Sequence, residues 1–256
     1  MSFFKKVFAS VGVGAAEVDT QLDQDVLKPG NEITGKVVIK GGSVEQNIDS
    51  IYLSLNTTYI REVDDNKVEE TGVIGRFKLT EPFMISPDEV KEIPFAFNLP
   101  LSTPVSIGQS HVWVQTGLDI KNAVDPSDRD YIHVEPHPLM QAFFTALDNL
   151  GFKLHSVENE VAPKMLGRDL SFVQEFEFIP YSGPFRGKLD ELEVVFLPIT
   201  EDEFDVMLEV DRRANGLGGL LSEMLDVDET KLRIHLTSEN VDHLQNDLES
   251  LIARYS

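Results

Sequence analysis

The sequence predicts an all-β-dominated fold: two tandem β-sandwiches, a helix that links them and an amphipathic helix at the C-terminus. Three observations point there. Apolar residues alternate over short runs that turn-forming stretches separate. One strong helical stripe interrupts those runs in the middle of the chain, and a second closes it. The length, 256 residues, is too great for one ordinary sandwich and suits two. The expected division is 1–125 for an N-terminal sandwich with a short leading helix, 126–151 for linker and helix, 152–212 for a second sandwich, and 213–256 for a C-terminal extension of short helix, strand and terminal helix.

The elements follow in order. Phe3, Phe4, Val7, Phe8 and Val11 gather on one face of a short N-terminal helix, with Lys5 and Lys6 between them. That helix either packs on the body or makes a reversible contact with a membrane or partner. A cleaved signal peptide is the competing reading, weakened by Gly12 and Gly14 within the apolar run. Strands then announce themselves by alternation: Ile33, Gly35, Val37 and Ile39 on one face, Ile51, Leu53, Leu55, Thr57 and Tyr59 on another, and Val112, Val114, Thr116, Leu118 and Ile120 on a third. In "EVKEIPFAFNLPLSTP", Ile93, Phe95, Phe97 and Leu99 alternate around Pro94. Proline has no N–H for a ladder, so this strand is expected to turn the Pro94 side away from any partner.

The helical stripe is Leu139, Met140, Phe143, Phe144, Leu147 and Leu150, framed by Pro138 and a C-capping Gly151. Alternation resumes in Phe172, Phe176 and Phe178, in Leu192, Val194 and Phe196, and in Phe204, Val206, Leu208 and Val210. A glycine-rich hinge and short helix precede a strand carrying Leu232, Ile234 and Leu236. A terminal helix over about 239–254 aligns Val241, Leu244, Leu248, Leu251 and Ile252, with Thr237 or Ser238 as its N-cap. It is too short to stand alone in water, so it docks on its own domain or on another molecule.

Composition narrows the functions. The net charge is −22, from 22 basic and 44 acidic residues, a balance that repels phosphate backbones and excludes nucleic acid as the expected partner. There is no cysteine, hence no disulfide, thiolate metal site or cysteine nucleophile, which fits a cytoplasmic location. No stretch approaches the roughly 20 apolar residues of a membrane span, so stable insertion is not expected.

Catalytic and metal motifs are weak. Ser110 and His111 are neighbours on a strand, so they point to opposite faces and make no nucleophile–base pair. "GPFRGK" at 183–188 is one spacer short of a phosphate loop and is followed by Leu189. "GLGGLL" lacks the βαβ setting of a dinucleotide site. His133, Glu135 and His137 share a face if extended, a weak metal candidate that Pro136 and Pro138 disturb. "DPSDRD" lacks the glycine and glutamate of a calcium loop; Asp125, Asp128 and Asp130 are expected to form an ionic cluster around Arg129 that helps fix the domains. No cofactor is expected, and the chain reads as a non-enzyme. Trp113, the one tryptophan, falls on a polar strand face, where the N-terminal segment, the second domain or a partner protein would cover it.

Two sandwiches in tandem, with "IPFAFNLP" followed by "HVWVQTGLDI", resemble an arrestin-type protein. "MSFFKKVFASVGVGAAEVDTQL", "DPSDRDYIHVEP" and "LDNLGF" together resemble the SpoOM-type sporulation-control proteins of spore-forming bacteria, essentially over the full length. That resemblance implies a cytoplasmic, arrestin-like regulator of sporulation without enzyme activity. Such a scaffold would bind proteins through sheet edges, the inter-domain concavity and the terminal helices, with Trp113, Phe3, Phe4, Phe8, Val241, Leu244, Leu248 and Leu251 as contact residues. Self-association stays open. The alternative is a ligand- or metal-responsive sensor that changes the angle between the sandwiches. The charged inter-domain core of eukaryotic arrestins has no residue-by-residue match in this sequence.

Overall fold

Strands dominate the computed structural model, which describes residues 16–63, 66–120, 127–162, 171–211 and 231–255. In the N-terminal half, β1 (Glu17–Leu22), β3 (Glu32–Lys40) and β7 (Val90–Asn98) form a three-stranded antiparallel sheet in the order β1-β3-β7. Facing it, β4 (Gln46–Val63) pairs with β5 (Asn66–Lys78), β6 (Phe83–Ile85) and β8 (Val112–Ile120), and β8 with β9 (Ser127–Val134), which carries the two-residue β2 (Val26–Leu27) at its far edge. Alternation decides what lies between the sheets: Ile33, Val37 and Ile39 from one, Ile51, Leu53, Leu55, Val112, Val114 and Leu118 from the other, all buried. Pro94 stands opposite Lys36 on β7, which among the described residues is an edge strand paired only with β3, where a missing N–H is tolerated.

The C-terminal half is an antiparallel meander of β10 (Phe152–Val161), β11 (Phe172–Pro180), β12 (Glu191–Pro198), β13 (Glu203–Asp211) and β14 (Lys231–Thr237). The strand after the glycine-rich stretch thus continues the sheet of the strands before it. Helix α1 (Pro138–Asn149) lies across the inner face, where Phe144 meets Phe176, Phe178 and Phe196 at ring distances of 5.1–5.7 Å. Gly151 ends it in the left-handed region (φ 92°), and a Cβ there would stand 2.3 Å from the Ser182 carbonyl oxygen.

Helix α2 (Leu244–Ile252) packs beside α1 and buries Leu244, Leu248 and Ile252. It is shorter than the 239–254 expected, and neither Thr237 nor Ser238 caps it. Instead the Thr237 N–H donates to Asn240 Oδ1 while the Asn240 N–H donates to Thr237 Oγ1. This tight turn uses the backbone a longer helix would need, and a 3₁₀ turn at Val241–His243 leads into α2. The two halves join edge to edge: β10 runs parallel to the far end of β4, paired at Glu160 and Ile60, so one sheet continues through both. The expected N-terminal helix with Phe3, Phe4 and Phe8, the residue Asp125 and the glycine-rich hinge lie outside the described residues.

Candidate functional site

Where the halves meet, side-chain amides hold the seam. Asn159 of β10 is 5% exposed, and its Nδ2 donates to Thr57 Oγ1, the Thr58 carbonyl and Ser110 Oγ at 2.9–3.1 Å. Opposite it on β11, Gln174 accepts from the Val105 N–H (2.8 Å) and donates to the Val105 carbonyl (3.0 Å) and Ser110 Oγ (3.2 Å). A side-chain amide exchanging both bonds with a backbone unit copies one rung of a β-ladder. Beside it the Phe172 ring stacks on Tyr59 (5.6 Å) and lies over Gly72, where a Cβ would come within 2.5 Å of the ring. Glycine in the middle of β5 is thus explained by close approach. Lys67 reaches Glu158 across the seam (3.0 Å), but both are largely exposed, so the pair contributes little. These hydrogen-bonded amides and hydroxyls are uncharged.

On the outer face of the N-terminal half, three cross-strand rows run over β5, β4, β8 and β9: Lys78–Tyr52–Gly117–Ser127, Arg76–Ser54–Gln115–Arg129 and Val73–Asn56–Trp113–Tyr131. They carry three cations and no carboxylate, although acids outnumber bases two to one in the chain. Between the first two rows lies an open groove of about 460 Å³, lined by Tyr52, Ser54, Arg76, Lys78, Gln115 and Gly117. Trp113 is buried (3% exposed) despite its polar face: the Arg129 guanidinium sits 4.7 Å over its ring and Tyr131 packs at 6.0 Å.

The linker residues are brought to different places. Asp128, Arg129 and Asp130 lie on strand β9 and not in a loop, so alternation parts them. Asp128 accepts from the Thr20 N–H on β1, while Arg129 faces outward over Trp113. Asp125, the remaining member of the expected ionic cluster, lies outside the described residues. His133, Glu135 and His137 diverge as well. His133 is exposed, Glu135 pairs with Lys28 at 3.5 Å, and His137 is buried as the N-cap of α1. Its Nδ1 accepts from the Leu139 N–H and its ring stacks 4.9 Å from Phe204. Burial lowers the His137 pKa, with Glu201 and Asp202 opposing. Among the described residues, no three His, Asp or Glu side chains converge as metal ligands. Of the C-terminal contact residues, Leu244 and Leu248 are buried, and Val241 and Leu251 pack partly buried against the same core.

The sequence reading missed Asn159, Gln174, Arg76 and Lys78, and weighed Ser110 only as a nucleophile. A signal for the seam was present: polar residues at inward positions, where alternation calls for apolar ones, must find buried partners.

Comparison with known proteins places this geometry. The family model described as SpoOM protein matches residues 4–214. The sporulation-control protein Spo0M of Bacillus subtilis (strain 168) is 44% identical over 259 residues, covering 100% of both chains. The crystal structure of Spo0M from Bacillus subtilis matches with a TM-score of 0.89 and 42% identity, over 95% of this chain and 100% of that one. The chain belongs to the SpoOM family.

Proposed function

We propose that this SpoOM-family chain takes part in the control of sporulation as a non-enzymatic cytoplasmic scaffold that holds other proteins on its β frame. The regulatory role is supported by full-length similarity to a sporulation-control protein. The observation that carries the binding mode is the edge of β5. This strand is 13 residues long, pairs only with β4 among the described residues, and exposes Val68 and Val73. Long unprotected edges are a hazard that folds usually suppress, and a retained one suits β-augmentation by an extended segment of a partner.

The test is complementation. A strain lacking the protein would receive either the parent gene or one encoding Val68→Lys with Val73→Lys. Both valines are exposed, so the fold should survive, while two added lysines on the edge disfavour strand addition. The expected result is normal protein level and melting with loss of sporulation control. Full complementation by the variant would sink the edge-binding reading.

A further inference from the structure

We propose that the groove between Arg76, Lys78 and Gly117 is a binding site for an extended acidic peptide segment of a partner protein. The inference rests on the protein-binding reading above and names the partner's chemistry. Three observations carry it. Arg76 is exposed and has no ionic partner among the described residues, in a chain where carboxylates are twice as common as cations. Among the described residues, Lys78 beside it pairs only with Glu81, a carboxylate 84% exposed at the surface and easily exchanged for another. Register puts both cations on the rows that also hold Tyr52 and Gly117.

Gly117 is the decisive residue. It lies within a strand, with Tyr52 on one side and Ser127 on the other, yet among the described residues a Cβ there would meet nothing within 4 Å. No packing demand from the described residues explains the missing side chain. Its absence opens the floor of the groove between strands. A peptide side chain can lie there against the Tyr52 ring while a neighbouring carboxylate takes a forked pair of hydrogen bonds from the Arg76 guanidinium and a second faces Lys78 Nζ. Ser54 and Gln115 supply polar groups for the peptide backbone. An anionic membrane fits less well. A planar charged surface is repelled by all 22 excess negative charges at once, whereas a short peptide senses mainly the local cations.

The experiment uses the full chain and a fluorescently labelled peptide of alternating glutamate and valine, with a lysine–valine peptide as control. The acidic peptide should bind saturably and weaken as salt is raised; the basic one should not bind. Arg76→Glu and Lys78→Glu should each weaken binding about tenfold or more, and Arg76→Lys should weaken it less because it keeps the charge. Gly117→Leu should weaken it similarly by filling the groove, with melting unchanged. The inference falls if the acidic peptide does not saturate, if the three groove variants bind it like the parent, if inorganic phosphate displaces it at equal concentration, or if anionic phospholipid vesicles bind in its place through Arg76 and Lys78. If the peptide fails while Val68→Lys with Val73→Lys still abolishes sporulation control, the groove is wrong and the edge reading stands. If the peptide binds while that edge variant complements fully, the reverse holds.

Discussion

The two halves of the molecule solve the same burial problem with different side chains. The N-terminal half packs sheet on sheet and fills the space with Ile33, Val37, Ile39, Ile51, Leu53 and Leu55. The C-terminal half packs α1 on a sheet and fills the space with phenylalanines: Phe143 and Phe144 from the helix, Phe176, Phe178, Phe196 and Phe204 from the strands. Two pleated faces about 10 Å apart interdigitate medium aliphatic chains well. A helix on a curled sheet leaves wedge-shaped gaps, and large flat rings meeting edge to face fill them, as Phe143 does against Phe196 at 5.2 Å and 85°. The outer faces differ in charge too. Arg76, Lys78 and Arg129 mark the N-terminal one, whereas Glu158, Glu175, Glu177, Glu193 and Glu209 share the C-terminal one by register. Apolar packing runs continuously from one half into the other, yet two packing modes meeting at a hydrogen-bonded seam should be separable in energy.

Core truncation tests that separation most strongly. Phe143 is fully buried, so Phe143→Ala should cost ~3–5 kcal/mol, and Leu53→Ala in the other core ~2–5 kcal/mol. In calorimetry each substitution should lower a different one of two transitions. A single transition that both shift alike would mean that the seam welds the halves into one cooperative unit.

The seam itself is the next target. Asn159→Ala removes an amide whose two N–H groups serve three acceptors and leaves Thr58 O and Ser110 Oγ to find other donors, a cost of about 1–3 kcal/mol. Neither hydrophobic core loses an atom. The gap between the two transitions should therefore widen, and small-angle scattering should report a larger radius of gyration. An unchanged radius and unchanged melting would assign the holding role to Phe172, Tyr59 and the β4–β10 pairing instead.

What could be read from the sequence divides along the same line. Cores were legible because burial imposes a period: the alternating runs and the α1 stripe are where a side chain's neighbours in sequence fix its face. The cap of α2 was misplaced because Thr237 and Asn240 spend their side-chain oxygens on each other's N–H groups in a turn, and α2 starts only after His243, with no side-chain cap. The linker was misread as a loop because "DPSDRD" looks like one by composition, while pairing with β8 extends Ser127 onward into a strand. The partners that meet at the seam and in the groove were illegible for another reason. Asn159 meets Thr57 and Ser110 across 102 and 49 residues of chain, and the groove collects residues from β4, β5 and β8. No local pattern encodes register between distant strands.

The smallest effect separates the two outer faces by pH. Glu175 stands on the C-terminal outer face, where burial first, and then repulsion from Glu193, Glu160, Glu209 and Glu158, raises its pKa from 4.5 to about 9. At neutral pH the folded protein therefore holds a proton that the unfolded chain has released. With more protons bound in the folded state, stability must fall as pH rises. The contribution is complete below the ordinary carboxylate range and is lost progressively as pH climbs toward about 9. Glu175→Gln keeps the shape and removes the titration. Its C-terminal transition should match the parent's near pH 5 and exceed it toward pH 9, by on the order of 1 kcal/mol, since a side chain on a sheet face can turn toward water as it ionises. The N-terminal transition is the internal control. Tyr59, Lys67 and Lys78 there are raised above values that are already alkaline, so these three contribute no slope over this window. Equal alkaline slopes for Glu175→Gln and the parent would remove Glu175 as the source, and a slope in the N-terminal transition would break the contrast between the faces.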